Sequence, residues 1–140
     1  NAAENMVPTT TGAAIAVTKT LPQLIGKFDG LSVRVPTPVV SLSDVTALLR
    51  RDVTVEQVNG AFKKAAQSNF YQGILGVSEE PLVSRDFIGN SCSGIVDLPL
   101  TKVVDGNLIK VMVWYDNEWG YSNRLVELVA DVGHYLSRNE

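Results

Sequence analysis

The sequence predicts an α+β fold, in which a mostly antiparallel mixed sheet has helices packed on one face. Segments of alternating apolar and polar residues follow one another in runs rather than alternating with helices, which favours antiparallel pairing. Asp105-Gly106, between two apolar runs, is a strong signal for a β-hairpin. Apolar residues also recur at helical spacing after Gly12, Thr54 and Ser122, which indicates three helices.

The first helix is delimited by the residues that flank it. Residues 1–10 are predicted to form a polar leading segment without a strand, and one of the threonines at 9–11 can cap a helix that begins near Gly12. Pro22 should end or kink this helix, and Gly26 favours a stop soon afterwards.

Two strands are predicted next. Residues 31–35 (LSVRV) alternate, so their leucine and valines are expected to face the core while Arg34 lies on the opposite face. Pro36 and Pro38 break this strand. A second strand follows over residues 39–49. Since both of its faces are mixed, we expect one face to lie on helices and the other against another protein surface.

The second helix has the clearest local signal. Thr54 and Gln57 have the spacing of a capping box, in which each side chain accepts a hydrogen bond from the other residue's backbone N–H. Val55, Val58 and Phe62 then recur at helical spacing on one side.

The rest of the chain is predicted to contain strands, a helical turn after Pro81 and a final helix. A short buried strand is expected over residues 73–78, and another over 94–100, where the proline at 99 indicates an edge or a bulge. Residues 101–115 are predicted to form the hairpin. The last helix should run from about Ser122 to Leu136 with an apolar stripe.

The composition is that of an ordinary globular protein and argues against several functions. With 140 residues, 45% of them hydrophobic, the chain is long enough for one compact domain, which we assign to residues 1–140. The net charge of -3 gives no support for binding nucleic acid or a membrane, and no apolar run approaches the roughly 18 residues that cross a bilayer. Cys92 and His134 are the only cysteine and histidine, so neither an internal disulfide nor the usual zinc site can form within the chain.

Three polar patterns are candidates for ligand binding. Thr11 and Gly12 open the first helix, whose N-terminal N–H groups could seat a phosphate; simple helix capping is the alternative. Arg34 could bind a phosphate bidentately from a rigid strand, or could be exposed or paired with a carboxylate such as Asp44. Asn117 lies at a strand-to-helix corner, where its carboxamide could read a second carboxamide such as that of nicotinamide; a packed corner is the alternative.

Signals for catalytic residues are missing from the chain. No G-x-G-x-x-G follows a strand, so a dinucleotide-binding fold of the usual kind is not encoded. Cys92 has neither a histidine nor an activating charge near it in the sequence, and we expect a small packed residue in or beside a strand. His134 is near the end of the last helix and is expected to be a surface or cap-proximal residue.

Four blocks of the sequence resemble one enzyme family. They are VPTTTGAA at residues 7–14, LSVRVPTPVVSLSDVT at 31–46, ILGVSEEPLVSRDF at 74–87 and WYDNEWGYSNRL at 114–125. In this order they resemble the second half of a phosphorylating glyceraldehyde-3-phosphate dehydrogenase, over essentially the whole chain. Because the chain opens in mid-pattern, we expect a fragment: an incomplete C-terminal catalytic domain without the N-terminal, NAD-binding Rossmann domain.

The resemblance implies a reaction and a set of site residues. Members of the family oxidise glyceraldehyde 3-phosphate with NAD and inorganic phosphate to 1,3-bisphosphoglycerate and NADH in glycolysis, as cytoplasmic homotetramers. By position in the motifs, Thr11 and Gly12 match the residues that seat inorganic phosphate, and Arg34 matches the arginine that binds the substrate phosphate. Asn117 matches the asparagine that holds the nicotinamide carboxamide, and Tyr121 matches the tyrosine packed nearby.

The sequence also departs from the family pattern. The SCTTNC-type motif of the catalytic cysteine and the motif of its histidine partner do not occur here, and Cys92 and His134 should not inherit those roles. The parent is therefore expected to be an enzyme and the fragment inactive. An erythrose-4-phosphate dehydrogenase of the same superfamily, or a non-catalytic module for oligomerisation or phosphosugar binding, stays open. So does the choice between NAD and NADP.

Overall fold

The computed structural model describes residues 4–138, which contain three α-helices and six strands. The chain divides into two compact units, Asn1–Pro38 and Val39–Glu140. Each unit combines helix and strand, which confirms the α+β class. The assignment of residues 1–140 to one domain stays a prediction. Within the described residues, no helix has the length and apolar character needed to cross a membrane.

The first unit is a two-stranded antiparallel ribbon with a helix between its strands. Strand β1 (Val7–Thr10) pairs with strand β2 (Leu31–Arg34), and helix α1 (Ala13–Thr20) and a 3-10 turn (Pro22–Leu24) connect them. The helix ends ahead of the proline, as predicted. The prediction of a leading segment without a strand was wrong, because β1 depends on a partner strand that is distant in sequence.

Strand β2 does not bury its apolar side chains. Leu31, Val33 and Val35 are each exposed over about half of their surface or more, so the prediction that they face a core was wrong. A two-stranded ribbon with one short helix has too little apolar surface to close a core. Ala14 is the buried residue of α1.

The second unit is built on a four-stranded mixed sheet. Its strands are β3 (Ser41–Leu48), β4 (Leu75–Ser78), β5 (Gly94–Val104) and β6 (Leu108–Tyr115). They lie in the order β3-β6-β5-β4, in which β6 pairs antiparallel with both neighbours and β4 pairs parallel with β5. The prediction of a mostly antiparallel mixed sheet is confirmed.

Strand β5 is one long strand, whereas two were predicted over the same residues. Its pairing with β6 shifts register between Asp97 and Lys102, around Pro99. Because proline has no N–H to donate to the ladder, the chain bulges here instead of ending. The side chain of Asn59 donates from Nδ2 to the backbone oxygen of Leu98 at 3.1 Å, which satisfies a carbonyl at the bulge.

The predicted hairpin turn is confirmed by its backbone angles. Asp105 has φ 49° and Gly106 has φ 77°, both in the left-handed region. A Cβ at position 106 would also lie 3.0 Å from the carboxyl carbon of Asp52. Glycine is therefore favoured at this turn by conformation, and a larger residue would also have to displace the Asp52 side chain.

Helix α2 (Val55–Ala66) confirms the capping box and packs on one face of the sheet. The N–H of Gln57 donates to Thr54 Oγ1 at 3.3 Å, and the N–H of Thr54 donates to Gln57 Oε1 at 3.0 Å. Val58 of the helix packs with Val96 of β5 and Val111 of β6, which are 7%, 1% and 3% exposed. This cluster is the main core of the unit.

A second cluster covers part of the opposite face of the sheet. Neighbouring residues of a strand point to opposite faces, so Ile95 faces away from the α2 core. A 3-10 turn over Ser84–Phe87, in the region where one helical turn was predicted, brings the Phe87 ring to 5.2 Å from Trp114 in a stacked arrangement. The indole Nε1 of Trp114 donates to the buried carboxylate of Asp97 at 2.9 Å.

Val40, just before β3, has an unusual backbone conformation. Its φ of 72° lies in the left-handed region, which a β-branched residue rarely adopts. Its side chain is buried with Phe87 and Ile95, and this packing offsets a strain of about 1–3 kcal/mol.

Helix α3 (Trp119–Ser137) is the most exposed element of the second unit. It begins before the predicted start at Ser122, and Gly120 is its buried residue. The predicted apolar stripe is present along the helix, but its side chains are about half exposed or more, at Leu125, Val129, Val132 and Leu136.

Candidate functional site

Thr11 and Gly12 lie between β1 and α1, at the start of the helix as predicted. The N-cap residue of α1 is Gly12, and the Thr11 hydroxyl oxygen just before it accepts a hydrogen bond from the N–H of Ala13 at 3.1 Å. The hydroxyl proton is left as a donor. A Cβ at Gly12 would meet no atom within 4 Å, so the backbone beside the helix start is open to a ligand.

Arg34 is the last residue of β2 and is exposed. Within residues 4–138 it forms no ion pair, and its suggested partner Asp44 is instead paired with Lys110, at 2.6 Å. In the ribbon Arg34 lies opposite Val7. Ser32, two residues before Arg34 and on the same face, lies opposite Thr9. Arg34 thus shares a face with two hydroxyl-bearing residues.

The ribbon register fixes the spacing between the two phosphate candidates. Val7 lies opposite Arg34, and Thr10 lies opposite Leu31. Thr11 follows Thr10 and is therefore four residues along the chain from Val7. At about 3.3 Å per residue, the backbones of Thr11 and Arg34 are roughly 13 Å apart along the ribbon. The two residues therefore lie on the same ribbon or directly beside it, without being adjacent.

Asn117 lies between β6 and α3, at the predicted corner. The Ser41 hydroxyl, on the neighbouring strand β3, donates to Asn117 Oδ1 at 3.4 Å. The carboxamide is exposed, and its N–H groups are left as donors. Tyr121 lies one helical turn further on and is 70% exposed, so its side chain is also available for contact.

The residue that builds this corner is Asp116, which sequence reasoning missed. It is only 4% exposed, and its Oδ1 accepts from the N–H of Glu118 at 3.0 Å and of Trp119 at 2.8 Å. Its Oδ2 accepts from the N–H of Gly89 at 2.9 Å. These hydrogen bonds, the one from Trp119 first, hold the pKa of the carboxyl below its ordinary value, against the opposing effect of burial. An aspartate just before a helix is a capping signal, and it could have been found in the sequence.

Comparison with known families decides where the chain belongs. The family model described as glyceraldehyde 3-phosphate dehydrogenase, C-terminal domain, matches residues 1–117. The chain belongs to this family.

Curated relatives of this dehydrogenase family match along most of the chain. Glyceraldehyde-3-phosphate dehydrogenase from Priestia megaterium is 58% identical over 91% of this chain and 38% of its own length. The protein of the same name from Geobacillus stearothermophilus is 55% identical over 92% of this chain and 38% of its own. Glyceraldehyde-3-phosphate dehydrogenase 2 from Streptomyces avermitilis is 52% identical over 96% of this chain and 40% of its own length. The chain thus spans about 40% of the length of the relatives it matches.

Arg124 is a second residue of this dehydrogenase domain that sequence reasoning missed. Its Nη1 donates to the backbone oxygens of Gly73 at 3.3 Å and Ser91 at 3.4 Å, and to the hydroxyl of Ser93 at 3.4 Å. Its Nε donates to Glu127 at 2.6 Å. Arg124 therefore ties the second turn of α3 to the segments that precede β4 and β5.

Cys92 and His134 do not form a catalytic pair in this dehydrogenase domain. Cys92 packs against the buried cluster that contains Phe87 and Ile95, which confirms the small packed residue expected beside a strand. Burial raises the pKa of its thiol, against the opposing effect of the Arg124 charge. His134 lies in the last turn of α3, as predicted. Among the described residues, no group of three or more histidine, cysteine or acidic side chains could hold a metal ion.

Proposed function

We propose that this chain is the catalytic-domain part of an NAD-dependent, phosphorylating glyceraldehyde-3-phosphate dehydrogenase. The parent, meaning the longer protein to which we assign the chain, would convert glyceraldehyde 3-phosphate, NAD and inorganic phosphate to 1,3-bisphosphoglycerate and NADH in glycolysis. The observation that carries the proposal is an identity of 50–58% over 91–96% of the chain with curated proteins of that name.

The phosphate groups would be received by the first unit. We assign the substrate phosphate to Arg34, whose guanidinium is free of ion pairs within the described residues and lies on the polar face of the ribbon. We assign inorganic phosphate to the Thr11 hydroxyl and the backbone at Gly12, where no neighbouring atom obstructs approach. A guanidinium fork and a helix N-terminus are both suited to phosphate oxygens.

The nicotinamide end of NAD would be held at the corner in the second unit. The Asn117 side chain fits this group because its Oδ1 is engaged by Ser41 while its N–H groups are left to donate to the carboxamide oxygen. Tyr121 would pack nearby with its exposed ring. When bound, NAD supplies the hydride acceptor that the oxidation requires.

The reactive thiol and imidazole would come from outside this sequence. The chain lacks the catalytic cysteine and histidine motifs of the family, and its own Cys92 is packed with a raised pKa, the opposite of an activated nucleophile. The isolated chain is therefore proposed to be inactive. Its contribution to the reaction is to bind and orient substrates.

The chain is also proposed to work within a larger assembly. The family model spans the first compact unit and most of the second, which supports treating residues 1–140 as one incomplete catalytic domain. Apolar side chains exposed on α3, such as Leu128 and Val129, support contact with other protein surface. We propose a homotetrameric, cytoplasmic parent.

A chimaera tests the proposal. This chain would replace the matching part of the Geobacillus stearothermophilus relative, and turnover would be measured with glyceraldehyde 3-phosphate, NAD and phosphate. We expect activity in the chimaera and none in the isolated chain. Parallel assays with erythrose 4-phosphate separate the two aldehyde substrates.

Two variants of the chimaera test the phosphate assignment. Arg34→Lys should raise KM for glyceraldehyde 3-phosphate about tenfold, since a lysine cannot form the bidentate contact. Arg51→Lys, an exposed arginine of the second unit, is the matched control and should leave KM unchanged. An unchanged KM in Arg34→Lys would contradict the assignment of the substrate phosphate.

A further inference from the structure

The corner between β6 and α3 is held together by one buried carboxylate. Asp116 accepts hydrogen bonds from Glu118 and Trp119 on one side of Asn117 in sequence, and from Gly89 in a separate segment. Its backbone oxygen also accepts from the N–H of Gly120 at 3.1 Å. The backbone that follows Asn117 is thereby bound to Asp116, the residue that precedes it, and the Asp116 side chain is bound in turn to Gly89.

The side chain of Asn117 is oriented by a second contact. Ser41 begins β3 and lies opposite Tyr115, the last residue of β6, so its hydroxyl reaches the corner from the neighbouring strand. That hydroxyl donates to Asn117 Oδ1 at 3.4 Å. With the oxygen engaged in this way, the exposed end of the carboxamide presents N–H donors.

We propose that Asp116 and Ser41 are positioning residues for Asn117: Asp116 fixes the backbone of the corner, and Ser41 sets which end of the carboxamide faces the ligand. This inference rests on the proposed function, in which Asn117 holds the nicotinamide carboxamide. Neither residue touches the ligand itself. Both act by keeping Asn117 in a conformation that binds without reorganisation.

The distribution of these contacts favours a positioning role over a purely stabilising one. A side chain that only capped the helix would need the N–H groups of Glu118 and Trp119, whereas Asp116 also reaches Gly89. Ser41 lies outside the helix start, and its hydroxyl donates to the Asn117 side chain. Asp116 thus holds the backbone next to Asn117, while Ser41 holds the exposed carboxamide itself.

The test measures NAD binding by calorimetry in the full-length parent, together with KM for NAD and for glyceraldehyde 3-phosphate. Asn117→Ala should weaken NAD binding about tenfold, and Ser41→Ala roughly threefold, as expected for losing one neutral hydrogen bond. Asp116→Asn, which keeps one acceptor oxygen, should weaken it roughly fivefold. KM for glyceraldehyde 3-phosphate should stay within about twofold in all three, since the phosphate residues are untouched.

Matched controls lie on the same elements. Ser43→Ala changes a serine on the same face of β3, and Asp131→Asn changes an exposed carboxylate on α3. Both should bind NAD as the unmodified protein does. Ser41→Thr, which retains a hydroxyl, should restore most of the affinity lost in Ser41→Ala.

A double-mutant cycle decides whether Ser41 acts through Asn117. In the Asn117→Ala background, Ser41→Ala should produce no further loss of NAD affinity. If Asn117→Ala weakens binding but Ser41→Ala and Asp116→Asn lower only the melting temperature, the positioning role is overturned and the proposed function stands. If Asn117→Ala leaves NAD binding unchanged, the assignment of Asn117 and the positioning role both fail.

Discussion

The backbone oxygen of Cys92 lies so close to Gly120 that a Cβ at position 120 would stand 2.8 Å from it. The first turn of α3 thus lies directly against the segment that leads into β5. Helix α3 therefore docks through its backbone at this point. Further along the helix, its apolar side chains are exposed at Leu128 and Val129.

The approach at Gly120 predicts a large difference between two glycines of the same helix. Gly120→Ala should destabilise the chain by about 1–3 kcal/mol, because a backbone oxygen cannot move aside as a flexible side chain can. Gly133→Ala, where a Cβ meets no atom within 4 Å, should instead stabilise it by about 0.5–1 kcal/mol. Urea unfolding of both variants measures the difference. Equal midpoints would mean that α3 does not dock at Cys92.

The lowered pKa of Asp116 predicts a defined loss of stability in acid. Its folded pKa lies below the ordinary value of 3.8, so between these two values the unfolded state binds more protons. The contribution of the carboxylate is therefore complete above the ordinary value and is lost as the pH falls through the folded pKa.

Comparison with Asp116→Asn isolates this contribution. At neutral pH the variant should be about 1–2 kcal/mol less stable, since it loses the charge and one of the acceptor oxygens. The difference in stability between the unmodified chain and the variant should shrink as the pH is lowered through the acid range. Urea unfolding midpoints of both proteins at a series of pH values measure it. A stability difference between the two proteins that stayed constant into strong acid would show that the charge of Asp116 does not contribute to stability.

The capping box of α2 predicts that substitutions of its two residues lower the stability in a coupled way. Thr54 is exposed, so Thr54→Ala should cost about 1 kcal/mol through the cap alone, while Thr54→Ser should cost little because it retains the hydroxyl. Gln57→Ala should cost less in the Thr54→Ala background than in the unmodified chain, because the two bonds are reciprocal. Chemical denaturation of the four proteins in the cycle measures the coupling, and strict additivity would contradict it.

The raised thiol pKa of Cys92 predicts slow alkylation. A pKa above the ordinary value of 9.0 leaves less than about 1% of the thiol ionised at pH 7, and the thiolate is the reacting form. Iodoacetamide should therefore react with the folded chain at least several-fold more slowly than with the chain unfolded in denaturant. A faster reaction in the folded state would identify an activated cysteine and reopen the question of its role.

Local rules were enough to predict the elements whose stabilising contacts are close in sequence. The Thr54–Gln57 cap, the left-handed turn at Asp105-Gly106 and the end of α1 ahead of Pro22 each depend on residues within one or two turns. The bulge around Pro99 also follows locally, since a missing N–H must interrupt the ladder. The family blocks, read from sequence, led to the correct family.

Contacts between segments that are distant in sequence could not be predicted in this way. Strand β1 exists because it pairs with β2, Val40 keeps its left-handed backbone because Phe87 and Ile95 pack around it, and Asp116 reaches Gly89 across the chain. Each depends on which surfaces the fold brings together.

The sequence by itself therefore determined the helices, the hairpin and the family. Only the tertiary structure decided that Thr11 lies about 13 Å from Arg34 along one ribbon, that the Ser41 hydroxyl reaches Asn117, and that Asp116 reaches Gly89. The physical reason is that backbone preference acts over a few residues, whereas strand register and buried hydrogen bonds are set by pairing across the whole fold.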